Sequence, residues 1–255
     1  MAENPFLSVV MPALNEEKNI ILAISNTLKA FNDLKIDGEI VVINDGSTDR
    51  TSTLVIDLIA KEKERIRLVN HESPHGYGAS FWDGIDSARG GIVTLLPGDN
   101  ENDPREILRY LKLLNDVDIV VPFVYNKRVR SVFRNILSRI YLSVVNFTFG
   151  THFNYTNGTM LYRKSILKEL EHRSFSFFFQ TDILVRAVKR GHLFAEVPYS
   201  LGKRKAGDSK AVTLSNFLRI ALDYFTLVRD IYISRKEKLK DKSFTADNVS
   251  RKRHP

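Results

Sequence analysis

The sequence predicts an α/β protein built on a mostly parallel, doubly wound sheet flanked by helices. Short apolar, β-branched runs alternate with stretches whose apolar residues recur every three or four positions. That order produces a parallel sheet with helices on both faces. The run Ile92-Val93-Thr94-Leu95-Leu96 is apolar or β-branched throughout, as a strand buried on both faces should be. It then breaks at Pro97-Gly98 into Asp99-Asn100-Glu101. In open α/β sheets ligands bind outside the carboxyl ends of the strands, so these carboxylates stand where chemistry is expected.

Taken in order, a first strand is expected at 6–12, in Phe6-Leu7-Ser8-Val9-Val10-Met11-Pro12. Asn15 can cap a helix over 16–30, with Ile20, Ile21, Ile24 and Leu28 on one face. A second strand, 39–45, runs into the turn Gly46-Ser47-Thr48-Asp49, and a helix at 51–63 and a strand at 66–70 follow. His75-Gly76-Tyr77-Gly78 opens a helix that ends near Ala88. It lacks the third glycine of a dinucleotide fingerprint. His71 and His75 read as loop residues, since neither has a carboxylate or His at ligand spacing on one helix face. After 92–96 come a helix at 104–114, with Pro104 at its first position, and a strand at 118–123.

Beyond Phe123 the pattern changes. Val132, Phe133, Ile136, Leu137, Ile140, Tyr141, Val144 and Val145 recur at helical spacing, with Arg130, Arg134 and Arg139 between them. A short strand at 159–162, a helix at 182–189 and a strand at 194–197 come next. A last amphipathic helix carries Leu214, Phe217, Leu218, Ala221, Phe225, Val228 and Tyr232. The expected organisation is an α/β domain over 1–212, an amphipathic helix over 213–235 and a basic tail over 236–255 with the composition of a disordered segment.

Composition narrows the functional classes. With 255 residues the chain can bury one large core. The absence of cysteine excludes disulfides, thiolate metal sites and a Cys nucleophile. The start has no basic segment before an apolar one, so no secretory signal is expected. No apolar run approaches the roughly 20 residues that span a bilayer. The expected location is therefore cytoplasmic. All of the net charge of +8 lies from Lys203 onward, where 14 Lys and Arg face 6 Asp and Glu. Such an end suits an anionic membrane surface or simple solvation. Nucleic acid is not expected as a partner, because no basic patch is interleaved with aromatics.

Two acidic turns carry the chemistry: Asn44-Asp45-Gly46-Ser47-Thr48-Asp49 and Pro97-Gly98-Asp99-Asn100-Glu101. On one sheet edge they can divide the work of holding a nucleotide. One carboxylate accepts hydrogen bonds from base or ribose, and the other holds Mg²⁺ or a similar hard cation on the phosphates. Asp49 also suits a helix cap, and the second turn has the composition of an ordinary solvated turn.

Pro12-Ala13-Leu14-Asn15-Glu16, the Asn44–Asp49 turn, the glycine-rich helix start and the strand-end Asp99 together resemble family 2 glycosyltransferases of the GT-A fold. Thr156-Asn157-Gly158-Thr159-Met160-Leu161-Tyr162-Arg163 is similar to the "TSGF…YR" segment of the polyprenyl- and dolichyl-phosphate sugar transferase branch. Phe179-Gln180-Thr181-Asp182 resembles its "FQ…(D/E)" helix opening. Glu196-Val197-Pro198, Arg204 and Gly207-Asp208-Ser209-Lys210 resemble its "EVP…R…G.SK" loop. The likeness covers roughly residues 5 to 212, and five ordered motifs are more specific than any one.

The resemblance implies an inverting transfer from a nucleotide-sugar, with Mg²⁺ or Mn²⁺ on the diphosphate. It implies that Pro12, Leu14, Asn15, Glu16, Asp45 and Gly76 line the donor site, with Tyr77 where relatives often carry Lys. Asp99 would hold the metal, with Glu101 as a second ligand. Arg134, Arg204 and Lys210 would meet the donor diphosphate or an acceptor phosphate, which suits the guanidinium fork. The sequence departs from the family at two points. Pro97 stands where the first carboxylate of Asp-x-Asp is usual, and Asn154 where an Asp usually precedes the "TSG" segment.

The acceptor decides what else is needed. A hydroxyl acceptor requires a general base, for which Asp182 is the candidate. A polyprenyl phosphate is already anionic, and Asp182 would then orient the acceptor or cap its helix. The two amphipathic stretches suit peripheral contact with the cytosolic face of a membrane, and equally suit packing on the sheet.

Overall fold

Every residue of β1 (Leu7–Ala13) and β2 (Gly38–Asn44) is buried. Their alternate side chains feed two separate cores. Val10, Val41 and Ile43 face one side of the sheet, and Leu7, Val9, Met11, Ile40 and Val42 the other. This is the period-2 alternation of a strand with both faces covered. The computed structural model describes residues 7–62, 64–126, 132–200 and 214–234, the side chains of 132–134 and 214–217 excepted.

The remaining strands are β3 (Ile66–Asn70), β4 (Ile92–Leu95), β5 (Ile119–Val124), β6 (Leu161–Arg163) and β7 (Phe194–Tyr199). They form one seven-stranded sheet in the order β3-β2-β1-β4-β6-β5-β7. Only β6 runs antiparallel to its neighbours, β4 and β5. The helices are α1 (Ile20–Leu34), α2 (Thr51–Ile59), α3 (Tyr77–Ser87), α4 (Pro104–Leu108), α5 (Val132–Phe149), α6 (Lys164–Lys168), α7 (Phe179–Lys189) and α8 (Leu214–Val228). Ile20, Ile24 and Phe31 of α1 join Ile107 and Leu108 of α4 on one face. Phe81, Trp82 and Ile85 of α3 join Ile183, Leu184 and Ala187 of α7 on the other. The sheet is doubly wound, as the sequence predicts. The close seat of α3 requires glycine at 84, where a Cβ would stand 2.2 Å from Val10 Cγ1.

β1 has β2 on one side and β4 on the other, both parallel to it. The chain order reverses there, and such a switch point opens a crevice at the strand C-termini.

Several expected elements differ. The first helix begins at Ile20 and not at 16, with Asn19 at its N-cap position. The expected helix at 104–114 splits into α4 and a 3₁₀ turn, Leu111–Asn115. The last helix passes into a π-helical turn, Arg229–Ile233. The C-terminal helix packs against the rest of the chain. Leu227 is fully buried, Asp223 accepts hydrogen bonds from Ser174 and Ser176, and the Tyr224 hydroxyl pairs with Thr148 of α5 at 2.6 Å. The tail from 235 onward lies outside the described residues.

Candidate functional site

The loops after β1 and β2 are stitched together by side chains that take up each other's backbone groups. Asn15 Oδ1 accepts from the Thr48 N–H at 2.9 Å, and the Asn15 N–H donates to Ser47 Oγ at 2.9 Å. The Glu16 N–H donates to Thr51 Oγ1 at 2.8 Å and the Glu17 N–H to Asp49 Oδ2 at 3.1 Å. Asn15 itself has φ 58°, a left-handed conformation that Asn tolerates better than most residues. Its expected role as a helix cap is therefore corrected. The N–H groups of 15–17 find partners on the neighbouring loop, so the helix starts later. Asp49 stands one position before the N-cap residue, Arg50, and its Oδ1 accepts from the N–H and hydroxyl of Thr51 at the start of α2.

Asp45 sits at the centre of this edge, 4% exposed. It accepts from His71 Nδ1 and the His75 N–H, both at 2.8 Å, and from the Gly76 N–H at 2.9 Å. Burial works to raise its pKa, but these three donors outweigh it and hold the carboxyl below its usual value. A carboxylate offers about four lone-pair sites, so its own chain uses most of what Asp45 has to give. Gly76 reaches this contact with φ 100°, open to glycine alone at low cost. Pro12 and Leu14 flank the same edge, and the Pro12 carbonyl accepts the Gly98 N–H at 2.9 Å.

That last bond brings the end of β4 beside the end of β1. Asp99 follows, half-buried, its Oδ1 accepting the Glu101 N–H at 3.0 Å. Among the described residues no Lys or Arg pairs with Asp99. Tyr77 opens α3. Burial pushes its phenol far up, and the fields of Asp99 and Glu101 push in the same direction, so its hydroxyl stays a donor. Tyr77 stacks on Phe177 with centroids 5.9 Å apart. A hard divalent cation fits here on the chemistry of the donors, two half-buried carboxylates with no described cation competing for Asp99. Mg²⁺ commonly takes one or two carboxylates and completes its shell with phosphate and water.

The later motifs meet on the other side of the crevice. Gln180 donates to the Gly158 carbonyl at 2.6 Å, and the Thr181 hydroxyl bonds that of Thr156 at 3.0 Å. Asn154, where the family usually has Asp, is clamped by Glu196. Its N–H and side-chain amide each donate to that carboxylate at 2.6 Å. Asn154 and Tyr155 line a shallow, open cleft with Val124, Asn135, Ser138 and Arg139.

Asp182 does not cap its helix. The helix opens three residues earlier, with Phe178 at the N-cap position. The Asp182 side chain is 1% exposed, and Oδ2 pairs with Arg186 Nε at 2.9 Å. Arg186 in turn reaches Asp230 of the C-terminal segment at 3.0 Å. Burial pushes the Asp182 carboxyl up, against the pull of Arg186.

Arg134 lies on α5, but its side chain is outside the described residues, as are Arg204 and Lys210 entirely. Sequence reasoning passed over Tyr77 as a site residue, the Glu196 clamp and Arg139 at the cleft. The sequence marks Arg139 only as one of the basic residues between the apolar positions of α5, most of which, among the described residues, are themselves exposed.

The fold and this edge define a GT-A type α/β protein with a ligand crevice at the switch point. The model of the family "Glycosyl transferase family 2" matches residues 8–171, and the chain belongs to that family. It is 28% identical over 220 residues to polyprenol monophosphomannose synthase of Mycolicibacterium smegmatis, covering 79% of each chain. It is 28% identical over 207 residues to undecaprenyl-phosphate 4-deoxy-4-formamido-L-arabinose transferase of Edwardsiella ictaluri. That match takes in 80% of this chain but 62% of the relative, so the chain spans under two thirds of that protein's length. Among solved structures it resembles glucosyl-3-phosphoglycerate synthase from Mycobacterium tuberculosis in complex with Mn²⁺, UDP-glucose and phosphoglyceric acid. There the TM-score is 0.62 at 21% identity, covering 89% of this chain and 79% of that one, a likeness of fold.

Proposed function

We propose that the protein transfers a hexose-type sugar from a nucleotide-sugar, UDP- or GDP-linked, to polyprenyl phosphate at the cytosolic face of a membrane. The observation that carries this reading is the carboxylate pair Asp99 and Glu101 beside the stitched loops of β1 and β2, at the switch point of a family 2 fold. In the reaction, an acceptor phosphate oxygen forms a bond to the anomeric carbon as the bond to the nucleoside diphosphate breaks, with inversion. Mg²⁺ or Mn²⁺ at Asp99 and Glu101, when bound, supplies positive charge to the departing diphosphate.

The chain's own residues do the positioning. Asn15 and Asp45 hold the nucleotide-side loops rigid, and Leu14 and Gly76 offer the close wall. The Tyr77 phenol, kept protonated, lies in the field of those carboxylates. Arg139 presents a guanidinium to the cleft beside Asn154, suited to an anionic acceptor; Arg134, Arg204 and Lys210 are further cations for the same phosphates. A phosphate acceptor already carries its negative charge and needs no base. That agrees with Asn154, which cannot take a proton, and with the burial of Asp182.

The exposed faces of α5 and α8 favour a lipid-linked acceptor. Ile136, Ile140 and Phe147 on the first, and Leu218, Leu222 and Phe225 on the second, are all at least half exposed. No described helix is long and apolar enough to cross a membrane, so these faces suit an interfacial position.

The second reading is transfer to a hydroxyl with Asp182 as base, favoured by that carboxyl's raised pKa. A binding protein without turnover is the third, and Pro97 motivates it. The test is a thermal-shift screen of UDP-, GDP- and dTDP-sugars with and without Mn²⁺, on wild type and Asp99→Asn. At a hundredfold excess over Kd a ligand adds about 2.7 kcal/mol. A metal-dependent shift lost in Asp99→Asn is expected; no shift with any donor overturns the reading. Product formation with a short-chain polyprenyl phosphate then separates the first reading from the other two.

A further inference from the structure

In the sequence His71 and His75 have no carboxylate or His at ligand spacing on one helix face. The fold supplies one. His71 follows β3, where its N–H is held by the Asn44 carbonyl at 2.9 Å. His75 lies in the turn before α3, its ring stacked on that of His71 with centroids 4.3 Å apart. Asp83 comes from the second turn of α3 and places Oδ2 3.0 Å from His71 Nε2. The ligand-type atoms of His71, His75 and Asp83 all lie within 4.8 Å of one another, and among the described residues no other group of three does so.

We propose that His71, His75 and Asp83 form a binding site for a borderline transition-metal ion of the Zn²⁺ class. Two imidazoles and one carboxylate are a donor set that such ions take, with a fourth position left for water or a ligand. His71 stands between two carboxylates, with Nδ1 2.8 Å from Asp45 Oδ1 and Nε2 3.0 Å from Asp83 Oδ2, so a bound ion would take the place of the proton between Nε2 and Asp83. A carboxylate behind a ligating His is the usual outer-shell partner, fixing ring orientation and raising basicity. In a tetrahedral site with bonds near 2.0–2.2 Å, ligand atoms stand about 3.4 Å apart. The His71–Asp83 pair is close to this, and the exposed His75 ring would turn out of its stack on His71 to close the remaining distance.

The site shares no ligand with Asp99 and Glu101 and differs from them in chemistry, since imidazole nitrogen selects against Mg²⁺. Its occupancy would clamp the 71–76 loop through Asp45, next to the nucleotide-side edge. The proposal does not depend on the sugar-transfer reading.

The test uses the full chain in four forms: wild type, His75→Ala, Asp83→Asn and Asp99→Asn. Zn²⁺ binding is followed by calorimetry, and Co²⁺ by its visible absorption, which is intense for four-coordinate nitrogen-containing sites and weak for six-coordinate oxygen ones. Wild type and Asp99→Asn are expected to bind one Zn²⁺ equivalently and to give the intense Co²⁺ spectrum. Changes behind a ligand cost about 10–100-fold in affinity, so His75→Ala and Asp83→Asn should each lose at least roughly tenfold. Both side chains are at the surface, and thermal melts check that the variants remain folded. Absence of binding, a weak six-coordinate spectrum, or retention of affinity in either His75→Ala or Asp83→Asn overturns the site. Loss in Asp99→Asn assigns the ion to the other carboxylates and also overturns it.

Discussion

Asp182 and Arg186 pair within one turn of α7 at 2.9 Å, each side chain 1% exposed. Because Arg186 also holds Asp230 at 3.0 Å, the pair ties the helix of the "FQTD" motif to the C-terminal segment. Removing one partner of a buried ion pair leaves an uncompensated charge, which costs about 3–5 kcal/mol. Arg186→Met should therefore lose stability of that order in chemical denaturation. Asp182→Asn should also be destabilised, with turnover retained per folded molecule. Full stability with abolished turnover would instead make Asp182 a general base.

The stitched loops predict a coupling between stability and donor affinity. Asn15→Ala removes the acceptor for the Thr48 N–H and places Ala at φ 58°. The lost bond and the left-handed strain together should cost roughly 1–3 kcal/mol. Donor Kd should rise in the same variant, because the loop of 45–49 loses its brace. Asn15→Gly restores the conformation alone, so a calorimetric comparison of the two separates strain from the hydrogen bond.

His192 gives the folded state a pH dependence with a defined sign. Burial opposes its charge, but Asp118 and Glu169, at 3.7 and 3.5 Å, outweigh that and raise its pKa above 6.5. A folded pKa above the unfolded one means stability fully present below about 6.5 and lost as pH rises through the folded value. Denaturation midpoints of wild type should fall across that interval. His192→Gln should be less stable at the acid end and flatter above it.

The apolar faces predict membrane association without a spanning helix. Phe147 is 92% exposed and Leu222 68%, so serine at both should alter stability by no more than about 0.5 kcal/mol. Flotation with vesicles rich in anionic lipid should recover wild type and lose the double variant. High salt should weaken recovery by screening the basic residues.

Much of the donor edge was legible in the chain itself. Strand-end carboxylates at 45 and 99 announce themselves by where an apolar run stops, and β1, β2 and β4 carry the apolar runs that burial on both faces requires. Asn15 misled for a local reason. Asn before a helical pattern reads as a cap, and nothing in the neighbouring residues shows that Thr48, 33 positions away, competes for its side chain.

The sequence by itself determined the α/β class, the strand-end acidic turns and the family motifs, because periodicity and turn chemistry are local properties of a chain. Tertiary structure alone decided which side chains those elements enclose. It buried Asp182 against Arg186, clamped Asn154 with Glu196 and carried Asp83 to His71. The Asp182–Arg186 spacing is local, but its burial, like the other two contacts, depends on the packing of elements distant in sequence, where desolvation and an opposing charge set what a group can do.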